Sequence, residues 1–285
     1  MTIQFAIGIL FLGSGIIYGI YMMRSILQDR AWLAEAPGNL GVVMVSEAVI
    51  YFLCTIGVSD FLLNTILCRR LHLAPPEAQP DCNICATIVP SGIIAFLYLR
   101  HADAVDGRLL GVFIVCMVVG SLVGSRAVGR MEGEKIRRAM VIFLCVTLLS
   151  LIVKMILSAG AAPEATSLAG WKLAAIGAEA FCAGFINMLG IPAKPLTATV
   201  ALLLGLSPIT TLAITLGAIP MSCVAGGLNV VPRKRYSPKL ILSAMTAGSV
   251  AAIIGCLLAI SIDAAVMNGI LLAVIALAII SLIRK

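Results

Sequence analysis

Apolar runs long enough to cross a lipid bilayer follow one another through nearly the whole chain, and two of them are broken in the middle by polar residues. The first break is Gly57-Val58-Ser59-Asp60, inside an apolar stretch at 40–71. The second is Gly190-Ile191-Pro192-Ala193-Lys194-Pro195, inside a stretch at 171–205. After each break only 10 to 12 residues of apolar chain remain, too few to span the hydrocarbon core. Irregular backbone at that depth is tolerated only where it is packed in protein or lines a cavity. Each stretch therefore reads as a re-entrant hairpin: a helix in, a turn near the midplane and a half-helix back. The competing reading is ordinary helices kinked at Gly and Pro, which are common in membrane helices.

Composition agrees with an integral membrane protein. Hydrophobic residues make up 61% of the chain and charged residues 12%, far from a soluble domain. The net charge of +7 sits in short loops, where orientation in the bilayer accounts for it, so nucleic acid is not an expected partner. The amino terminus lacks a positive n-region, and Arg24 and Arg30 follow the first apolar run. That pattern predicts a first helix at 4–23 starting outside the cell, then a cytoplasmic loop at 24–38, rather than a secretory signal. The nine cysteines are odd in number and mostly inside apolar segments, so they read as buried thiols and not as a disulfide framework. Cys82-Asn83-Ile84-Cys85 is a CxxC with Cys68 and His72 nearby; structural cysteines are expected there, with a zinc site as the alternative. No P-loop or nucleophile elbow is present, so neither an enzyme nor a cofactor is expected.

Residues 107–152 can be laid on 238–283 without a gap, pairing Leu109 with Leu240, Gly124 with Gly255 and Ser150-Leu151-Ile152 with Ser281-Leu282-Ile283. The loops carry opposite charge. Arg126, Arg130, Lys135, Arg137 and Arg138 lie in the first copy, where 257–269 of the second holds no Lys or Arg. The preceding loops reverse this, since 229–239 holds Arg233, Lys234, Arg235 and Lys239 without an acid. Basic loops stay in the cytoplasm, so one copy is upside down relative to the other. Inverted repeats are common in secondary transporters. The expected fold is all-α: an N-terminal helix and loop (1–38), a first repeat (39–158) and a second, inverted repeat (159–285). Each repeat is a broken hairpin plus three helices, at about 82–100, 107–129 and 136–157, and at about 208–230, 238–260 and 264–283. The protein is expected to be multi-pass in the cell's inner membrane, with its N-terminus outside and its C-terminus inside.

A half-helix starting at the midplane aims its free N–H groups and positive dipole end into the protein, which suits an anion. Two are expected, starting near Phe61 and near Ala193. Around them lie residues that are costly in a membrane: Asp60, Asn64 and Thr65 in the first half, and Lys194, Thr197 and Thr199 with Asn187 in the second. These residues, with the turn glycines Gly57 and Gly190, are the candidate substrate site. Lys194 falls one residue after the position matching Asp60, so the two are expected to meet; the alternative is a lysine that snorkels from a turn. Glu47 and Glu179 match one another in Ser-Glu-Ala and Ala-Glu-Ala. Desolvation favours the neutral form of a carboxyl, so either acid could carry a coupling proton; a helix-packing role is the alternative.

The chain resembles the TauE/SafE sulfite-exporter permeases over residues 39–285. The resemblance rests on Gly184-Phe185-Ile186 leading to Leu189-Gly190-Ile191, a Pro-containing turn and Leu203-Leu204-Gly205. It rests also on Gly120-Ser121-Leu122-Val123-Gly124-Ser125, a basic loop and Ile136-Arg137-Arg138, and on the repeated hairpin plan. It implies a permease for a small sulfur-containing or organic anion such as sulfite. The family's Gly-rich turn is replaced here by Pro192-Ala193-Lys194-Pro195 and by Ser59-Asp60-Phe61, a departure that bears on the substrate. The partners expected are a small anion, the lipid bilayer and a coupling proton, and an oligomer is compatible. An alternative of another class is a transmembrane thiol-disulfide relay through Cys54 and Cys182; a third is a channel.

Overall fold

In a computed structural model of the chain, residues 3–99, 106–131 and 164–261 are described, with single positions at 134, 138, 142 and 149. The helices expected at 136–157 and 264–283 lie almost wholly outside the described residues. Among those residues the protein is helical and holds no strand, only an isolated bridge between Ala165 and Leu206.

The first helix, α1 (Ile3–Gln28), runs past its expected end and is followed by a short α2 (Arg30–Glu35). The interval 24–38, expected as a loop, is therefore largely helical. Asp29 is the reason, because its carboxylate accepts from Trp32 N at 3.0 Å and restarts the helix. Asn39 caps α3 (Leu40–Thr55), Ser59 caps α4 (Asp60–Leu71) and Asp106 caps α6 (Gly107–Val128). Between α4 and α6 lies α5 (Gln79–Leu99). The second half begins with α7 (Trp171–Asn187) and α8 (Lys194–Leu203). Ser207 followed by Pro208 opens α9 (Pro208–Val230), and Ser237 followed by Pro238 opens α10 (Pro238–Ser243), both using Pro at the first helical position. A π-helical turn, Ala244–Gly248, joins α10 to α11 (Ser249–Ser261) and interrupts the single helix expected at 238–260.

Both apolar stretches with central breaks are thus helix–turn–helix pairs. Each inbound helix ends on a glycine with positive φ, Gly57 at +96° and Gly190 at +76°. At the first, Val58 N donates to Leu53 O and Gly57 N to Cys54 O, the paired bonds of a Schellman ending. The outbound helices are short, with 12 residues in α4 and 10 in α8.

Among the described residues, five helical segments are long and apolar enough to cross a membrane: Ala6–Gln28, Pro76–Leu99, Gly107–Val128, Ala213–Arg233 and Pro238–Leu258. In the apolar windows of Pro76–Leu99 and Ala213–Arg233, 72% of residues are buried, against 22% in Ala6–Gln28. This puts α5 and α9 at the centre and α1 at the rim. Packing is reciprocal between the halves. The inbound helix α7 lies on α6, the inbound helix α3 lies on α11, and α5 meets α9. Ile17, Val45, Val115 and Leu257 point outward, an apolar exterior suited to lipid.

The basic segment 231–239 is tied to the first half. Arg235 Nε donates to Asp81 Oδ2 at 3.1 Å, Arg233 Nη2 to Ser125 O at 2.8 Å, and Lys239 Nζ to Gly38 O at 2.9 Å. A cluster of this kind holds the start of α5, the end of α6 and the α2–α3 link around one loop.

Candidate functional site

The two hairpins meet through their outbound helices. Asp60 is the first residue of α4 and Lys194 the first of α8. Lys194 Nζ lies 2.7 Å from Asp60 Oδ1, and it also donates to Cys54 Sγ at 3.1 Å. Thr87 Oγ1, from α5, donates to Asp60 Oδ2 at 2.6 Å. Since Thr87 has given its hydrogen to Asp60, Tyr51 is left as the donor in its 3.4 Å contact with Thr87. Asp60 is fully buried, whereas the Lys194 side chain keeps 13% of its surface.

Helix electrostatics explain half of this pair. A carboxylate in the first turn of α4 is favoured by the positive end of the helix. A lysine in the first turn of α8 is disfavoured there, so helix stability does not account for Lys194. Its charge is compensated from the other half of the chain, by Asp60. Two of the three ammonium donors are used, and Lys194 is the member of the pair that keeps some exposure.

The helix starts themselves offer fewer free N–H groups than expected. Ser59 Oγ already accepts from Leu62 N in α4, and Pro195 removes one donor from the first turn of α8. The cationic side chain, more than the backbone, makes this place attractive to an anion.

A polar stripe on α5 completes the junction. Gln79, Asn83, Thr87 and Ser91 recur at every fourth residue and are all buried. Asn83 Nδ2 is shared among Phe61 O at 3.3 Å, Thr65 Oγ1 at 3.1 Å and Gly190 O at 3.2 Å, so one amide binds both hairpins. Gln79 Nε2 donates to Asn83 Oδ1 at 3.3 Å. The stripe runs outward to a cleft of about 300 Å³ lined by Cys68, Arg69, His72, Pro75, Pro76 and Gln79.

Of the residues singled out in the sequence, Asp60, Lys194, Thr65 and Gly190 come together here. Gly57 is exposed at the first turn, while Gly190 is buried. Thr197 Oγ1 donates to Glu179 Oε1 at 2.8 Å in a separate pair, with Glu179 Oε2 unpartnered. Thr199 Oγ1 donates to Pro195 O of its own helix at 2.9 Å. Asn64 and Glu47 are fully buried with no hydrogen-bond partner on any side-chain polar atom, and Asn187 Nδ2 is likewise unpartnered. Three contributors were missed: Tyr51, Asn83 and Thr87. Asn83 sits inside the CxxC and was read only as part of it, although the four-residue polar spacing along α5 was visible in the chain. Among the described residues no cluster of three His, Cys, Asp or Glu could hold a metal ion. Cys54 is buried against Lys194 while Cys182 is exposed, so the two cysteines considered for a relay occupy different surroundings.

The family model described as Sulfite exporter TauE/SafE matches residues 61–282. The chain belongs to the sulfite exporter TauE/SafE family. It is therefore a multi-pass membrane protein of a transporter family, in agreement with its long apolar helices. The match to TauE/SafE begins beside Asp60 and covers both outbound helices and Lys194, leaving α1 to α3 outside. No curated protein and no solved structure matches the chain.

Proposed function

We propose that this protein is a secondary transporter for a small anion, a sulfur oxyanion such as sulfite or a small carboxylate, bound at Lys194. The observation that carries this reading is the 2.7 Å pair between Asp60 and Lys194, formed by the first residues of the two outbound helices. Neither charge is tolerated alone at membrane depth. Without substrate the pair neutralises itself. An arriving anion takes over Lys194, and Asp60 must then leave or accept a proton, with Thr87 still in hydrogen-bond reach. Anion binding is thereby linked to proton uptake. Glu179 is a second proton carrier: Thr197 orients one of its oxygens and the other is unpartnered.

The cleft at Cys68 and Gln79 supplies the approach, with Arg69 and His72 at its mouth. Two inverted halves supply alternating access; the reciprocal packing of α6 on α7 and α11 on α3 supports that arrangement. The N-terminus lies outside and the C-terminus inside the cell's inner membrane.

Uptake or efflux in proteoliposomes against a panel of sulfur oxyanions and carboxylates tests the assignment. Saturable movement of one anion class is expected, and it should survive replacement of all nine cysteines, which a thiol relay would not. A panel that yields no anion movement refutes the reading. Orientation is checked by cysteine labelling from outside. Position 164 is expected to react and position 234 to stay protected; reaction at both removes the inverted arrangement.

A further inference from the structure

We propose that Glu47 and Asn64 form a binding site for a small monovalent cation, sodium, inside the first hairpin. Glu47 lies on α3 and Asn64 on α4, and both are wholly buried. Neither carboxylate oxygen of Glu47 and neither amide atom of Asn64 has a hydrogen-bond partner. A buried carboxylate without a donor or counter-charge is among the costliest groups a fold can carry.

Two observations set these side chains opposite one another. Helix α3 packs along α4, on which Asp60, Asn64 and Cys68 recur at every fourth position and are fully buried. Glu47 is within electrostatic range of both Cys68 and Asp60, the two ends of that face, and Asn64 lies between them. The second half gives the other observation. Glu179 and Thr197 lie 132 and 133 positions after Glu47 and Asn64, within one residue of the 133 that separates the turn glycines Gly57 and Gly190. Glu179 and Thr197 are joined directly at 2.8 Å. The first-half pair makes no hydrogen bond.

Three of the four orphaned atoms are oxygens. An acceptor-rich set around a single negative charge suits a hard cation, which takes oxygen ligands. A proton alone cancels the charge and gives one carboxyl oxygen a hydrogen to donate to Asn64 Oδ1, but it leaves the other carboxyl oxygen without a donor, whereas a cation engages all three oxygens. The groups facing Glu47 are Tyr51 one turn along α3, and Asp60 and Cys68 across on α4. Asp60 is already neutralised by Lys194, so the charge to be balanced is that of Glu47. Any effect of the cation on anion binding rests on the transporter reading above. The cation site itself needs no transport.

Thermal unfolding of the purified full-length protein, in sodium chloride against choline chloride at equal ionic strength, is the test. A saturable, sodium-specific rise in Tm is expected. Its apparent affinity should fall at least tenfold in Glu47→Gln and in Asn64→Leu, and stay unchanged in Glu35→Gln, an exposed acid on α2. If Glu47→Gln does not fold, Asn64→Asp replaces it, and its added carboxylate is expected to tighten sodium binding; no change there overturns the site. Equal Tm in sodium and choline, with stabilisation by acid alone, assigns a proton to Glu47 and overturns the proposal. A sodium effect that persists in the Glu47 and Asn64 variants does the same. Because the readout is Tm, loss of this site and loss of anion transport are separate results.

Discussion

Lys194→Ala is expected to abolish anion transport and to destabilise the protein at once. Lys194 provides the cation at the hairpin junction, and it is the member of the pair that keeps some exposure. Removing one partner of a desolvated charge pair costs about 3 kcal/mol of binding, or about 100-fold in affinity. The same change leaves Asp60 fully buried with no counter-charge, supported by Thr87 and its own backbone N–H, which costs about 3–5 kcal/mol of stability. Asp60→Asn combined with Lys194→Gln removes both charges while keeping polar groups, so folding should return and transport should not. Anion binding by calorimetry and Tm in detergent separate the two effects. Normal binding by Lys194→Ala would move the site away from this junction.

The other large effect is expected from Gly120→Ala, on the contact between the halves. A Cβ on Gly120 would stand 2.0 Å from Phe181 O, and one on Gly184 would stand 2.1 Å from Met117 O. Both obstacles are backbone, so no rotamer change relieves them, and α6 and α7 must separate. Small residues let membrane helices approach this closely. Overpacking of this kind costs about 3 kcal/mol, and Gly184→Ala should behave alike. Gly111→Ala on the same helix is the control, because its Cβ would meet nothing within 4 Å. It should be neutral or stabilise by up to about 1 kcal/mol, as alanine does in a helix interior. Equal Tm for Gly120→Ala and Gly111→Ala would show that α6 and α7 do not pack through these glycines.

Much of this architecture is legible in the chain, for identifiable reasons. The breaks at Gly57 and Gly190 announce themselves because glycine, proline and charge interrupt apolar runs of membrane length. Helix starts at Asn39, Ser59, Asp106, Ser207 and Ser237 follow from side chains that accept from the first turn. The α2 helix was missed because a charged, six-residue segment has little periodicity, and only the Asp29 cap defines it. Within the site, charges were easy to weigh singly, since a charge at membrane depth is costly wherever it lies. Asn83 and Thr87 were not, because neutral polar residues are tolerated in membrane helices and gain meaning only from what they touch. That Asn83 would reach Gly190 O, 107 positions away, follows from the packing of α5 against the second turn.

The two turn glycines share a backbone conformation and differ in confinement. Gly190 is wedged against Pro80, whose Cα would lie 3.0 Å from an added Cβ, and its carbonyl is held by Asn83. Gly57 is exposed, and an added Cβ would meet nothing within 4 Å. A side chain at position 57 therefore has room, whereas one at position 190 must displace α5. In mechanical terms the second turn is a clamped joint and the first a bare one. Lys194 follows the clamped turn. Asp60 follows the bare one, and α5 holds it by its side chain through Thr87.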